Sequence, residues 1–158
     1  MKVAIGTDNS GLGLKNDVKR HLIEAGHEVM DLGMLDENDQ AMFYYDAARN
    51  VCEAILSGRA ERGILICRTG GGMNIVANKF KGIYALIAES PYTAKMAAVV
   101  NGCNVLVMGA GIVASYMGCE MADEFLAHEQ GDIFPEERRA LGKVLSQGIF
   151  DTEERNFR

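Results

Sequence analysis

The sequence predicts an α/β protein: a three-layer α/β/α arrangement with a mostly parallel five-stranded sheet and a C-terminal helical tail. Three observations predict it. Short β-rich runs alternate strictly with segments of helical periodicity. The connections are short, and right-handed crossovers then make a doubly wound sheet the economical topology. The run GILIC (63–67) is apolar throughout, as a parallel strand covered on both faces requires.

Each element has its own justification. KVAIG (2–6) is the first strand. Residues 12–25 carry Leu14, Val18 and Leu22 at i, i+4 and i+8, one apolar helix stripe, and Gly26 supplies the stop. HEVMDLG (27–33) is a second strand, and an acidic loop (34–40) leads into a helix over about 42–57 with Ala48, Val51 and Ile55 on one face and Gly58 after it. GILIC is the third strand, followed by a glycine loop that opens a short helix near 73–79. YALIA (84–88), a helix over 92–101, NVLVMG (104–109) and a helix over 113–128 complete the alternation. Beyond Gly131 the pattern changes to one amphipathic helix and a polar, charge-mixed end. Residues 1–130 therefore read as the α/β domain and 131–158 as a tail suited to docking on a partner subunit.

A chain of 158 residues suits one domain with one good core. No apolar run approaches the length of a membrane span, and the opening MKVAIGTDNSG lacks the pattern of a signal peptide. The net charge of −6 argues against nucleic acid as a partner, because phosphate backbones reward basic surfaces. Cys52, Cys67, Cys103 and Cys119 are scattered, with no CxxC pair and no zinc-ligand spacing, so free thiols and a cytoplasmic setting are expected.

In open parallel sheets ligands bind beyond the C-terminal strand ends. Three glycine-containing loops should gather there: TDNSG (7–11), CRTGGGMN (67–74) and GAGI (109–112). In the second, glycines let backbone approach a ligand and precede a helix N-terminus that favours anions. A tight turn with no ligand fits the glycines equally well. Cys67 shifts the balance, because a strand end beside Arg68 and a helix N-terminus is a setting in which thiols ionise readily. The other three cysteines read as small buried hydrophobes. Asp8 is open to two readings, a helix cap or a ligand carboxylate. Phe43-Tyr44 belongs either to the core or to a pocket wall.

These residues together resemble the ribose-5-phosphate isomerase B and galactose-6-phosphate isomerase family. The resemblance runs from Met1 to about residue 145, through VAIGTDNSGLGLK, ILICRTGGGMNIVANKFKGIYA and YTAKMAAVVNGCNVLVMG, with a late arginine pair. It implies a Rossmann-like fold, a homodimer or dimer of dimers with sites between subunits, no metal and no cofactor, and aldose–ketose isomerisation of sugar phosphates through a cis-enediolate. By position Cys67 resembles the base, and Thr69 with the amides of Gly70, Gly71 and Gly72 the stabiliser of the enediolate. Asp8, Asn9, Tyr44 and Asn101 resemble substrate contacts, and Arg138 and Arg139 phosphate-binding arginines reaching in from the partner.

Four positions depart from the family. Asn9 and Val100 stand where histidines are usual, Gly111 where a loop arginine is usual, and Arg68 where glycine is usual. The histidine missing at Val100 is the one that opens a furanose ring. A tetrose 4-phosphate has no such ring, because its phosphate occupies O4, and the erythrulose-4-phosphate isomerases resemble this chain in lacking both histidines and in carrying a Phe-Tyr pair. The resemblance thus implies an isomerase for a short-chain substrate such as erythrulose 4-phosphate. Its rivals are a ribose-5-phosphate or galactose-6-phosphate isomerase and a non-catalytic sugar-phosphate-binding subunit. For Arg68 two roles stand, a replacement cation for the missing loop arginine or a solvated side chain.

Overall fold

The computed structural model describes residues 1–38 and 42–157. Its strands are β1 (Lys2–Thr7), β2 (Glu28–Asp31), β3 (Arg62–Cys67), β4 (Ala85–Ile87) and β5 (Val105–Gly109). Its helices are α1 (Leu12–Glu24), α2 (Tyr44–Leu56), α3 (Gly71–Ala77), α4 (Pro91–Val99), α5 (Ser115–Leu126) and α6 (Glu136–Asn156), and a 3-10 turn, Asn9–Gly11, precedes α1. Every expected element is present. All pairings are parallel, in the order β2-β1-β3-β5-β4.

Burial explains which runs read clearly in the sequence. β3 and β5 are buried at every position and β1 at all but Lys2, because helices cover both of their faces. The edge strands β2 and β4 are only half-buried and shorter than the expected 27–33 and 84–88. Strand parity divides the core. Ile64 and Ile66 pack with Leu14, Val18, Ala97 and Phe125 of α1, α4 and α5. Leu65 and Cys67 face the other way, toward Ala48, Val51, Met73 and Ala77 of α2 and α3. The stripe Leu14, Val18, Leu22 is fully used, and α1 and α2 stop at Gly26 and Gly58 as expected. Residues 39 and 40 of the acidic loop lie outside the described residues. The helix after that loop begins at Tyr44 rather than at 42.

The tail corrects one expectation. Its polar, charge-mixed end is not a separate terminus but the last turns of α6, a helix of 21 residues and roughly 30 Å. Those turns are tied to their own chain. Glu153 accepts the Gly82 N–H at 2.8 Å and the Tyr84 hydroxyl at 2.9 Å, Phe150 packs 5.6 Å from the Tyr84 ring, and Lys81 pairs with Glu154 at 2.6 Å. Upstream, Ser146 is buried and receives the Gln130 amide at 2.6 Å, while Leu141, Val144 and Leu145 form an exposed apolar stripe. Among the described residues no helix is long and apolar enough to cross a membrane.

Candidate active site

Because the sheet is wholly parallel and β1, β3 and β5 are neighbours, their following loops share one rim, as the sequence required. β1 and β3 are locked together there by the buried Thr7 hydroxyl, which donates to the Ile66 carbonyl at 2.7 Å. β3 and β5 are locked by Ala110 N–H to Cys67 O at 2.8 Å and Gly111 N–H to Arg68 O at 2.9 Å. Gly109 lets the two loops meet: a Cβ on it would fall 2.9 Å from the Thr69 carbonyl oxygen.

Parity aims the Cys67 side chain at α2 and α3, where the glycine loop turns. Gly70 adopts φ +81°, a conformation that glycine takes without strain, and starts α3. Its N–H then points at the Cys67 sulfur, 3.2 Å away. Thr69 Oγ1 accepts the Gly71 N–H at 3.3 Å and is exposed. The Tyr44 ring closes the loop from the side. A Cβ on Gly72 would lie 2.8 Å from Tyr44 Cε2, so Gly72 admits the ring and Tyr44 walls the loop rather than filling the core. Cys67 is 7 % exposed, enough to reach the rim. Burial pushes the Cys52 thiol up to about 12 and the Cys103 thiol up to about 11, and it also raises that of Cys119. Burial thus disfavours the thiolate at those three positions, although Cys119 is only half-buried. All four cysteines are unpaired.

Asp8 acts as a cap. Its Oδ1 accepts the Ser10 N–H at 3.0 Å and the Ser10 hydroxyl at 2.6 Å. Asn9 is exposed and lines a shallow pocket with Asn16, Met34 and Glu37. Beneath that pocket lies a residue the sequence reading missed. Lys15 is fully buried, donates to Asp31 at 2.6 Å and to the Met34 carbonyl at 2.9 Å, and so ties α1 to the loop after β2. The signal was its spacing, since Lys15, Val18 and Leu22 fall on one helix face.

The remaining residues stand elsewhere. α4 carries the chain from the rim back to the start of β5, so Val100 and Asn101 lie at the opposite, N-terminal edge of the sheet. Val100 lines an open cleft of about 700 Å³ with Phe134, Arg138 and Arg139, and no rim loop contributes to it. The Arg138 guanidinium sits 4.0 Å over the Phe134 ring, and the Arg139 stem packs on Gly131. Gln130 joins this edge to α6 by donating to the Val100 carbonyl at 3.2 Å. Asp8, Asn9, Tyr44, Cys67, Arg68, Thr69 and Gly70 to Gly72 are thus gathered at one edge, and Asn101, Arg138 and Arg139 at the other. Among the described residues, no three His, Cys, Asp or Glu side chains are grouped to hold a metal ion.

The model of the ribose/galactose isomerase family matches residues 3–141. The chain belongs to that family. The 4-deoxy-4-sulfo-D-erythrose isomerase of Clostridium sp. (strain MSTE9) is 44% identical over 158 residues, all of this chain and 99% of that protein. The D-erythrulose-4-phosphate isomerase of Pectobacterium atrosepticum is 36% identical over 126 residues, 80% of each chain. Among solved structures, ribose-5-phosphate isomerase B of Clostridium thermocellum superposes with a TM-score of 0.86 at 33% identity, covering 98% of this chain and 99% of that one. Membership makes this family member an isomerase of the sugar-phosphate type, and the extent of the structural likeness takes in α6 as well as the sheet.

Proposed function

We propose that the protein interconverts an aldose and a ketose of four carbons that carry an anion at C4, with a 4-deoxy-4-sulfo tetrose as the first substrate and a tetrose 4-phosphate as the second. One observation carries the reading: Val100 presents an exposed apolar side chain to the arginine cleft where the family resemblance implies a ring-opening histidine. Valine moves no proton. A sugar with no free hydroxyl at C4 needs none moved, because it has no furanose ring to open. Sulfonate and phosphate at C4 both meet that condition. The full-length similarity to the sulfo-erythrose isomerase favours the sulfonate, and the partial similarity to the erythrulose-4-phosphate isomerase keeps the phosphate as the second reading.

The chemistry follows from the rim. The Cys67 thiolate removes the proton from C2 of the aldose, and the C1 carbonyl oxygen takes up the charge of the enediolate. The hydroxyl proton on O2 passes to O1, and the proton held by Cys67 returns to C1 to give the ketose. Thr69 and the amides at the start of α3 face the oxygen on which charge develops, which is where preorganised donors lower a barrier most. Asp8, Asn9 and Tyr44 flank the sugar. Asn101, Arg138 and Arg139 complete the site from a second copy, since in their own chain they stand at the wrong edge of the sheet. A binding subunit without chemistry would need only the amides, so a thiol with an N–H aimed at it favours turnover. The test is solvent-deuterium incorporation at C1 and C2, together with kcat/KM for sulfo-tetrose, tetrose, pentose and hexose phosphates. Exchange with the tetroses leading is expected. Efficient turnover of ribose 5-phosphate above every tetrose overturns the chain-length reading, and no exchange with any sugar overturns catalysis.

A further inference from the structure

We propose that Arg68 binds the C4 anion of the substrate and thereby measures its length, an inference that rests on the four-carbon reading above. Arg68 is the only basic side chain in the three rim loops. Arg20, Arg49 and Arg62 each pair with a carboxylate at 2.7, 2.8 and 3.1 Å, whereas Arg68, among the described residues, pairs with none. It is exposed, and its stem rests on the neighbouring loop. The stem lies across Gly111, where a Cβ would fall 3.2 Å from Nε and 3.4 Å from Cδ, and the Gly111 N–H holds the Arg68 carbonyl. Glycine at 111 leaves room for this arginine, and a Cβ there would push its stem aside by a few tenths of an ångström.

Position then dictates what such a cation can read. Arg68 follows Cys67 directly, and consecutive Cα atoms are about 3.8 Å apart. The base and the cation are thus carried on adjacent residues of one loop. When C1 and C2 lie at the Cys67 sulfur, the carbon that carries the anion, C4, is two bonds beyond C2, and each further carbon carries the anion about 1.5 Å of bond length farther along the chain. A cation anchored beside the base selects the short substrate. Its planar fork matches the oxygens of a sulfonate or a phosphate alike.

The experiment deletes the charge from each partner in turn. Erythrose 4-phosphate, 4-deoxy-4-sulfo-erythrose, uncharged D-erythrose and ribose 5-phosphate are assayed with wild type, Arg68→Ala, Arg68→Lys and Gly111→Ala. Arg68→Ala should lower kcat/KM for the two C4 anions by about 10- to 100-fold, mainly through KM, the loss typical of a hydrogen bond to a charged group. The loss on D-erythrose and on ribose 5-phosphate should be at least about tenfold smaller. Arg68→Lys should recover part of the loss, and Gly111→Ala, which moves the arginine without removing it, should shift the same ratio in the same direction. An equal loss on D-erythrose and on the C4 anions overturns the proposal, because Arg68 would then serve the reacting carbons or the fold. No loss on any substrate overturns it too. If wild type turns over pentose phosphates and no tetrose, the four-carbon reading fails first and the measuring role falls with it. A wild type active on tetroses with an indifferent Arg68→Ala leaves that reading standing and sinks this one alone.

Discussion

The two edges of the sheet are built in opposite ways. The rim is made of backbone: glycines at 70, 72, 109 and 111 bring main chain against main chain and admit the rings and stems of Tyr44 and Arg68. Cys67, the proposed base, is buried there and held by a hydrogen bond from its own loop. The N-terminal edge is made of long side chains on an exposed helix, with two arginines over an apolar cleft. A rigid rim suits a reaction in which a proton travels between adjacent carbons, where small misplacements cost rate. A softer edge of cations suits holding an anion. On the proposed reading each chain carries two half-sites at opposite edges of its sheet, and a working site takes one edge from each of two chains.

The comparison breaks most sharply at Cys67. Cys67→Ala should lower kcat by at least ~10²–10⁴-fold, the range for a positioned general base, while sugar-phosphate binding survives. Steady-state kinetics with calorimetric titration of the sugar phosphate measures both. Turnover near that of wild type would remove Cys67 from the reaction.

At the other edge, Arg138→Ala and Arg139→Ala should raise KM more than they lower kcat, since contacts with the anion, whose charge does not change in the reaction, bind ground and transition state alike. One should matter more. Arg138 is stacked on Phe134, whereas the Arg139 stem rests on Gly131. Co-purified heterodimers of a Cys67→Ala chain and an arginine-mutant chain should regain one intact site. If such heterodimers form and remain as inactive as either parent, both half-sites belong to one chain and the comparison collapses.

Val100→His sharpens the contrast from the substrate's side. It should improve kcat/KM for ribose 5-phosphate more than for any tetrose, by several-fold rather than by orders of magnitude, because Asn9 and Gly111 also differ from the family and one substitution does not rebuild a site. Equal changes on both substrates would remove ring opening from the explanation.

How legible each half was in the sequence follows from the same contrast. β1, β3 and β5 read clearly because two-sided burial makes them continuously apolar, and the parity that aims Cys67 away from Ile66 follows from that reading. The rim loops read clearly because glycine is a strong local signal. The N-terminal edge did not. Nothing local says that Val100 and Arg138 share a cleft, since that depends on where α4 delivers the chain. Nor could the sequence show that Arg68 lies on Gly111, a contact between residues that are neighbours only because β3 pairs with β5. The end of α6 read as a polar terminus because what holds it, Glu153 on Tyr84, is a contact 69 residues apart.

That contact supplies the smallest expected effect. Burial first, and then the hydrogen bond and charge of Glu153, push the Tyr84 phenol up to about 12. The unfolded chain loses this proton near the ordinary tyrosine value of about 10. A group whose folded value is raised gives its full stabilisation below the unfolded value and loses it as pH climbs through the folded one. The docking of α6 should therefore be constant up to about pH 10 and weaken between there and about pH 12. The half-buried contact limits the effect to about 1 kcal/mol or less. Thermal unfolding followed against pH measures it, and Tyr84→Phe should abolish this part of the slope. Because α6 also carries Arg138 and Arg139, Tyr84→Phe should raise KM slightly at neutral pH and leave kcat, which the rim sets, unchanged. A fall in kcat instead would mean that the anchor of α6 reaches the rim, and the two edges would not be separable.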